Sequence, residues 1–139
     1  MHFIIKLLGV CTAVCVVACL MNLLLKQISR EYIGKLSPGN ENFIAMYRKF
    51  MRLMIRNHRI FGFSGIGILT AHGLLAYTQI GLSLTGLIAL FLMSTMVCSG
   101  SYGYYFKKDY RSAWLDLHRM LAFLLLVGVI IHIPIPFFI

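Results

Sequence analysis

"HRIFGFSGIGILTAH" occupies residues 58–72, and "HRMLAFLLLVGVIIH" occupies residues 118–132. Each stretch opens on His-Arg, has thirteen residues between its two histidines, nearly all apolar or small, and closes on His. The chain has 5 histidines in 139 residues, so two equally spaced pairs account for all but His2. Residues fourteen apart on an α-helix differ by about 1,400°, some 40° short of four full turns, so they share a face. They stand about 21 Å apart along the axis. His58 and His72 therefore cannot ligate one ion together, because a zinc or copper site needs ligands converging within a few ångström.

The rest of the composition sets these segments in a bilayer. The chain is 60% hydrophobic and only 12% charged, which is too apolar for a soluble domain of this size. Its net charge of +9 sits in short segments between apolar runs, a pattern of topology signals and lipid-surface contact instead of nucleic-acid binding. Four runs, about 3–25, 53–79, 82–106 and 113–133, each approach the roughly 20 residues needed to cross a hydrocarbon core. Only helices satisfy their backbone groups there without closing a barrel. Pro134 and Pro136 mark the end of the fourth run. The sequence thus predicts an all-α, integral membrane four-helix bundle, a single domain over residues 1–139.

Lys26, Arg30, Lys35, Arg48, Lys49 and Arg52 lie between the first two runs, with Arg56 at the start of the second, and Lys107, Lys108 and Arg111 lie between the last two. The connection around Ile80–Ser83 is uncharged. The positive-inside rule makes both basic loops cytoplasmic and puts both termini outside, with His2 and Lys6 as a minor counter-signal. The expected location is a cytoplasmic membrane of bacterial type. "SPGNEN" is turn chemistry with Asn40 as an expected N-cap. Phe43, Tyr47, Phe50, Met51 and Met54 then recur at helical spacing, which predicts an amphipathic segment over about 41–52 lying in the interface. Trp114 and tyrosines 102, 104, 105 and 110 fit an aromatic belt near the same surface. "VVAC" at 16–19 resembles a lipoprotein cleavage site, but the apolar run continues past it, which favours an uncleaved helix. Cys11, Cys15 and Cys19 fall on one face as small packing residues, as does Cys98 in the third helix; the absence of CxxCH excludes that route to covalent haem.

The second and fourth helices flank one antiparallel helix and so run parallel. His58 and His118 then share one depth, and His72 and His132 the other. If the two helices face one another, two stacked sites result, each with two imidazoles. Bis-histidine ligation of haem iron fits this arrangement, with one nitrogen on each face of the macrocycle. Intramembrane histidines can also be packing residues or proton relays, yet two identical spacings on parallel helices are hard to obtain from packing. Gly62 and Gly65 lie on or beside the histidine face, with Gly67 and Gly73 on the same helix. Gly86 and Gly100 on the third helix are also fourteen apart, as if sparing space at both haem levels. Arg59 and Arg119 follow the two inner histidines, where they could pair with haem propionates or reach the lipid phosphates. Tyr77, Thr78 and Gln79 are the polar candidates at the outer level.

At "NHRIFGFSGIGILTAHGLLAY" and "GLIALFLMSTMVCSGSYGYYFKKDYRSAWLDLHRMLAFLLLVGVIIH" the chain resembles the ferric reductase-like transmembrane domain, within the dihaem b-type cytochrome superfamily. The second stretch carries the Trp-x-x-Leu-His-Arg pattern at Trp114, Leu117, His118 and Arg119. The likeness covers roughly residues 53–133. It implies two haem b groups, His58 with His118 on the inner iron and His72 with His132 on the outer. That family usually has six helices against four here, and no flavin or nucleotide-binding domain lies within these residues. A quinol or a separate redox subunit (flavoprotein, iron–sulfur protein or cytochrome) is then the expected partner, besides membrane lipid. The resulting expectation is an electron-transport protein, an oxidoreductase subunit relaying electrons across the bilayer to an outer-side acceptor. Its competitors are a haem-free metal transporter or anchor subunit, and a terminal reductase of extracellular metal or oxygen.

Overall fold

The computed structural model describes residues 2–35, 39–81, 83–106 and 113–133. These residues are almost all helical, with no strand among them: α1 (His2–Glu31), a short 3-10 turn (Ile33–Lys35), α2 (Glu41–Gln79), α3 (Leu84–Tyr105) and α4 (Ala113–His132). All four α-helices are long and apolar enough to cross a membrane. Lys107, Lys108, Tyr110, Arg111, Pro134 and Pro136, on which the sequence reading also drew, fall outside the described residues.

Helix ends follow local chemistry. Ser83 caps α3, its Oγ accepting the Gly86 N–H at 3.3 Å. Gly81 ends α2 at φ 102°, a left-handed conformation that a side chain would strain, and its N–H turns back to the carbonyls of Ala76 and Tyr77. Asn40 occupies the N-cap position of α2, but its side chain makes no capping bond. Glu41 in the first turn supplies the negative charge that a helix N-terminus favours.

One boundary differs from the sequence reading. The amphipathic segment 41–52 and the span 53–79 are a single 39-residue helix. No glycine or proline interrupts the chain between Glu41 and Gly62, and its Met, Arg, Lys and Leu residues are good helix formers, so nothing turns it at residue 52. A helix of this length spans about 58 Å, nearly twice the ~30 Å of hydrocarbon. Tyr47 ties the extension to α1 by donating its hydroxyl to the Leu25 carbonyl at 2.6 Å. α1 is also longer than its apolar run, continuing to Glu31.

The helices form a ring in chain order. α1 packs along α2 and α3 along α4, with lighter contact between α2 and α3 and between α1 and α4, while the backbones of α2 and α4 hardly approach one another. The core comprises Val16 from α1, Ala89, Met93 and Met96 from α3, and Leu121, Ala122 and Leu125 from α4, with Ile66 and Leu69 of α2 against it. Gly65 lets α2 into this core: a Cβ there would come within 2.9 Å of Met93 Cε and 3.2 Å of Cys15 Cβ. Such small-residue contacts are how membrane helices approach closely. The Phe3, Leu7, Val10, Val14, Val17 and Leu24 side chains of α1 are exposed at helical spacing, an apolar stripe directed away from the bundle.

Candidate functional site

Since α2 and α4 run parallel, equal spacing brings their histidines together level by level. The His58 and His118 rings face each other with centroids 6.2 Å apart and planes at 72°. The His72 and His132 rings repeat the arrangement at 6.4 Å and 87°. All four are half-buried. The first pair lies toward the end carrying the α1–α2 connection, here termed the basic end, and the second toward the opposite end.

Three of the four imidazoles are held from behind by α1 or α3. His72 Nδ1 donates to the Ile5 carbonyl at 2.9 Å. His118 Nδ1 lies 3.1 Å from the Met96 carbonyl and 3.1 Å from Ser99 Oγ. His132 Nδ1 lies 2.8 Å from Thr85 Oγ1. A carbonyl can only accept, so the neutral rings of His72 and His118 carry their proton on Nδ1 and keep the Nε2 lone pair. This is the tautomer that a metal-ligating histidine adopts when its other nitrogen is held in place. His58 is the exception: its Nδ1 is buried with no partner. Cys19, fourteen residues along α1 from Ile5, lies beside it and donates its thiol to the His58 carbonyl at 3.6 Å.

Glycines seat the rings. A Cβ at Gly100 would stand 3.1 Å from His118 Cε1, one at Gly86 3.5 Å from His132 Cε1, and one at Gly9 3.2 Å from His72 Cε1. The sequence reading has Gly86 and Gly100 sparing space at both haem levels; in the structure they let the imidazoles of His132 and His118 lie against the backbone of α3. Gly65 likewise serves helix packing. Gly62, one turn beyond His58, is half-buried yet has nothing within 4 Å of where a Cβ would be, which leaves room beside the pair.

The remaining candidates separate. Arg59 stacks over the Tyr104 ring at 4.1 Å. Arg119 pairs loosely with Asp116 at 3.4 Å, both largely exposed. Thr78 bonds the Leu75 carbonyl of its own helix, and Tyr77 is exposed. Sequence reasoning missed Gly9, Ser99 and Thr85. Two of these had a signal: α3 carries Thr-Gly at 85–86 and Ser-Gly at 99–100, a hydroxyl–glycine dipeptide repeated at the spacing of the histidines.

The donor set can be tested against haem. Among the described residues no three His, Cys, Asp or Glu side chains converge on a point that could hold a metal ion. A metal held here would take two protein nitrogens per level, leaving the other positions to a macrocycle. With metal–imidazole bonds of about 2.0 Å and about 1.15 Å from nitrogen to ring centre, two trans imidazoles have centroids about 6.3 Å apart. Both observed separations lie within 0.1 Å of that value. The residues fit the group. Comparison of the chain with protein-family models, curated proteins and solved structures finds no match.

Proposed function

We propose that the chain is a membrane-embedded dihaem b-type cytochrome that relays electrons across the bilayer. The observation that carries this reading is the pair of facing imidazole couples at one common ring separation, stacked about 21 Å apart along parallel helices. His58 and His118 would hold one iron and His72 and His132 the other. Haem held by these imidazoles would supply one-electron redox chemistry.

The chain's own residues supply orientation and dryness. Nδ1 bonds to Ile5, Met96, Ser99 and Thr85 fix ring direction at three of the four ligands. Met93 and Leu125, the largest fully buried side chains among the described residues, lie midway between the levels and exclude water there. The basic end faces the cytoplasm by the charge rule, so a quinol or a cytoplasmic redox protein would exchange electrons at that end and an outer-side protein or metal at the other. The relay would work as one subunit of a larger redox complex.

The test is the purified chain's visible spectrum with pyridine haemochrome quantitation. The expected result is a Soret band, reduced α and β bands of b type, and two haems per chain. A helical, monodisperse protein that remains colourless after expression with ample haem would refute the reading and favour a haem-free anchor or transporter.

A further inference from the structure

At the basic end the seam between α1 and α4 opens into a cavity of about 360 Å³, lined by Leu23, Leu24, Lys26, Gln27 and Arg30 of α1 and by Arg119 of α4. Cavities of this size hold small ligands or headgroups. Lys26 and Arg30 stand four residues apart on one helix face, where like charges repel. Arg119 adds a third positive charge from the facing helix. Among the described residues neither Lys26 nor Arg30 has a carboxylate partner, and the exposed Asp116–Arg119 pair is too loose to neutralise the group. Three cations with one amide line the space, and among the described residues no carboxylate lines it.

The apolar side of the cavity indicates the form of the missing anion. Leu23 and Leu24 lie on its membrane side, and from Leu24 the exposed stripe of Val17, Val14 and Val10 continues up α1. Cations below a lipid-facing apolar track match a phosphate esterified to acyl chains. We propose that the α1–α4 seam is a binding site for an anionic phospholipid, with Lys26, Arg30 and Arg119 on its phosphate and Gln27 donating beside them. The site stands on the cavity and its charges and does not depend on the haem reading.

The experiment measures lipid retention by native mass spectrometry, and thermal stabilisation, on detergent-purified protein incubated with phosphatidylglycerol or phosphatidylcholine. Wild type should retain phosphatidylglycerol selectively and be stabilised by it. Loss of each cation should weaken retention about fivefold, so the Lys26→Gln/Arg30→Gln double variant should fall on the order of 30-fold. The single Arg30→Gln variant, at a solvent-side position, guards against loss of fold and should show the smaller step. A Lys49→Gln/Arg52→Gln variant removes the same charge from α2 and should match wild type. Equal retention of both lipids, or an undiminished effect in the seam variants, overturns the proposal. So does stabilisation by inorganic phosphate at the lipid's concentration, which would assign the site to a free anion. A double variant that loses haem while keeping its lipid would assign the cations to haem propionates and overturn it as well.

Discussion

The closest ring seat sets up a paired substitution test. A Cβ at Gly100 would stand 3.1 Å from His118 Cε1 and 3.4 Å from its Nδ1. Non-bonded carbons prefer about 3.5–4.0 Å, so Gly100→Ala obliges the ring to retreat from α3 by about half an ångström. The ring is held on that side by contacts of 3.1 Å to the Met96 carbonyl and 3.1 Å to Ser99 Oγ. The same retreat lengthens both to about 3.6 Å, beyond useful hydrogen bonding. Loss of such outer contacts typically weakens metal affinity about 10–100-fold, so haem at the His58–His118 level should titrate that much more weakly while the other level is unchanged. Gly86→Ala is the control, because its Cβ would meet His132 at 3.5 Å, an ordinary contact. Both changes raise helix propensity by about 1 kcal/mol, so unfolding is not the expected outcome. Haem titration of the apoprotein, with circular dichroism on the same samples, reads the result. Undiminished affinity in Gly100→Ala, or an equal loss in Gly86→Ala, would refute the seating argument.

Single alanine replacements of the four histidines should fall into two spectral classes, His58 with His118 and His72 with His132, each retaining one haem per chain; four distinct spectra would break the pairing. Thr85→Val removes the partner of His132 Nδ1 and should weaken haem at that level about 10–100-fold, whereas Ser99→Ala leaves the Met96 carbonyl in place and should have a smaller effect, both measured by haem titration. Tyr47→Phe deletes the bond to the Leu25 carbonyl and should cost about 0.5–1.5 kcal/mol in a reversible unfolding assay, with haem content unchanged. Gly65→Leu drives a side chain into Met93 and Cys15, and the strain should lower stability by about 1–3 kcal/mol, seen as a depressed thermal midpoint.

Much of the fold is legible because bilayers simplify the reading. Apolar run length alone locates α3 and α4 to within two residues at each end. The rule fails where the chain leaves the lipid: Lys26–Glu31 and Glu41–Arg52 look like loop and interface by polarity, yet no breaker interrupts them and helix propagates through. At the site, the spacing of four histidines identifies which rings meet, since a helix converts fourteen residues into a shared face. Glycine roles were less readable. Gly62, Gly65, Gly86 and Gly100 are alike in sequence, and only packing separates room beside a ring, a helix contact and a seat under an imidazole. The partners of Nδ1 were hidden for another reason. Two are backbone carbonyls, which every residue possesses, so Ile5 and Met96 carry no side-chain signature.

The ring of helices divides labour between its members. Both levels draw one imidazole from α2 and one from α4, so a rotation of either helix about its own axis would re-aim the two levels together, like teeth on a common spindle. The hydrogen-bond partners and glycine seats, by contrast, come from separate places: Ile5 and Gly9 at one end of α1, Thr85 and Gly86 at one end of α3, Ser99 and Gly100 at the other. Independent adjustment of one level therefore belongs to α1 and α3, the two helices that contribute no imidazole, and it is there that substitutions can trim one level without retuning the other.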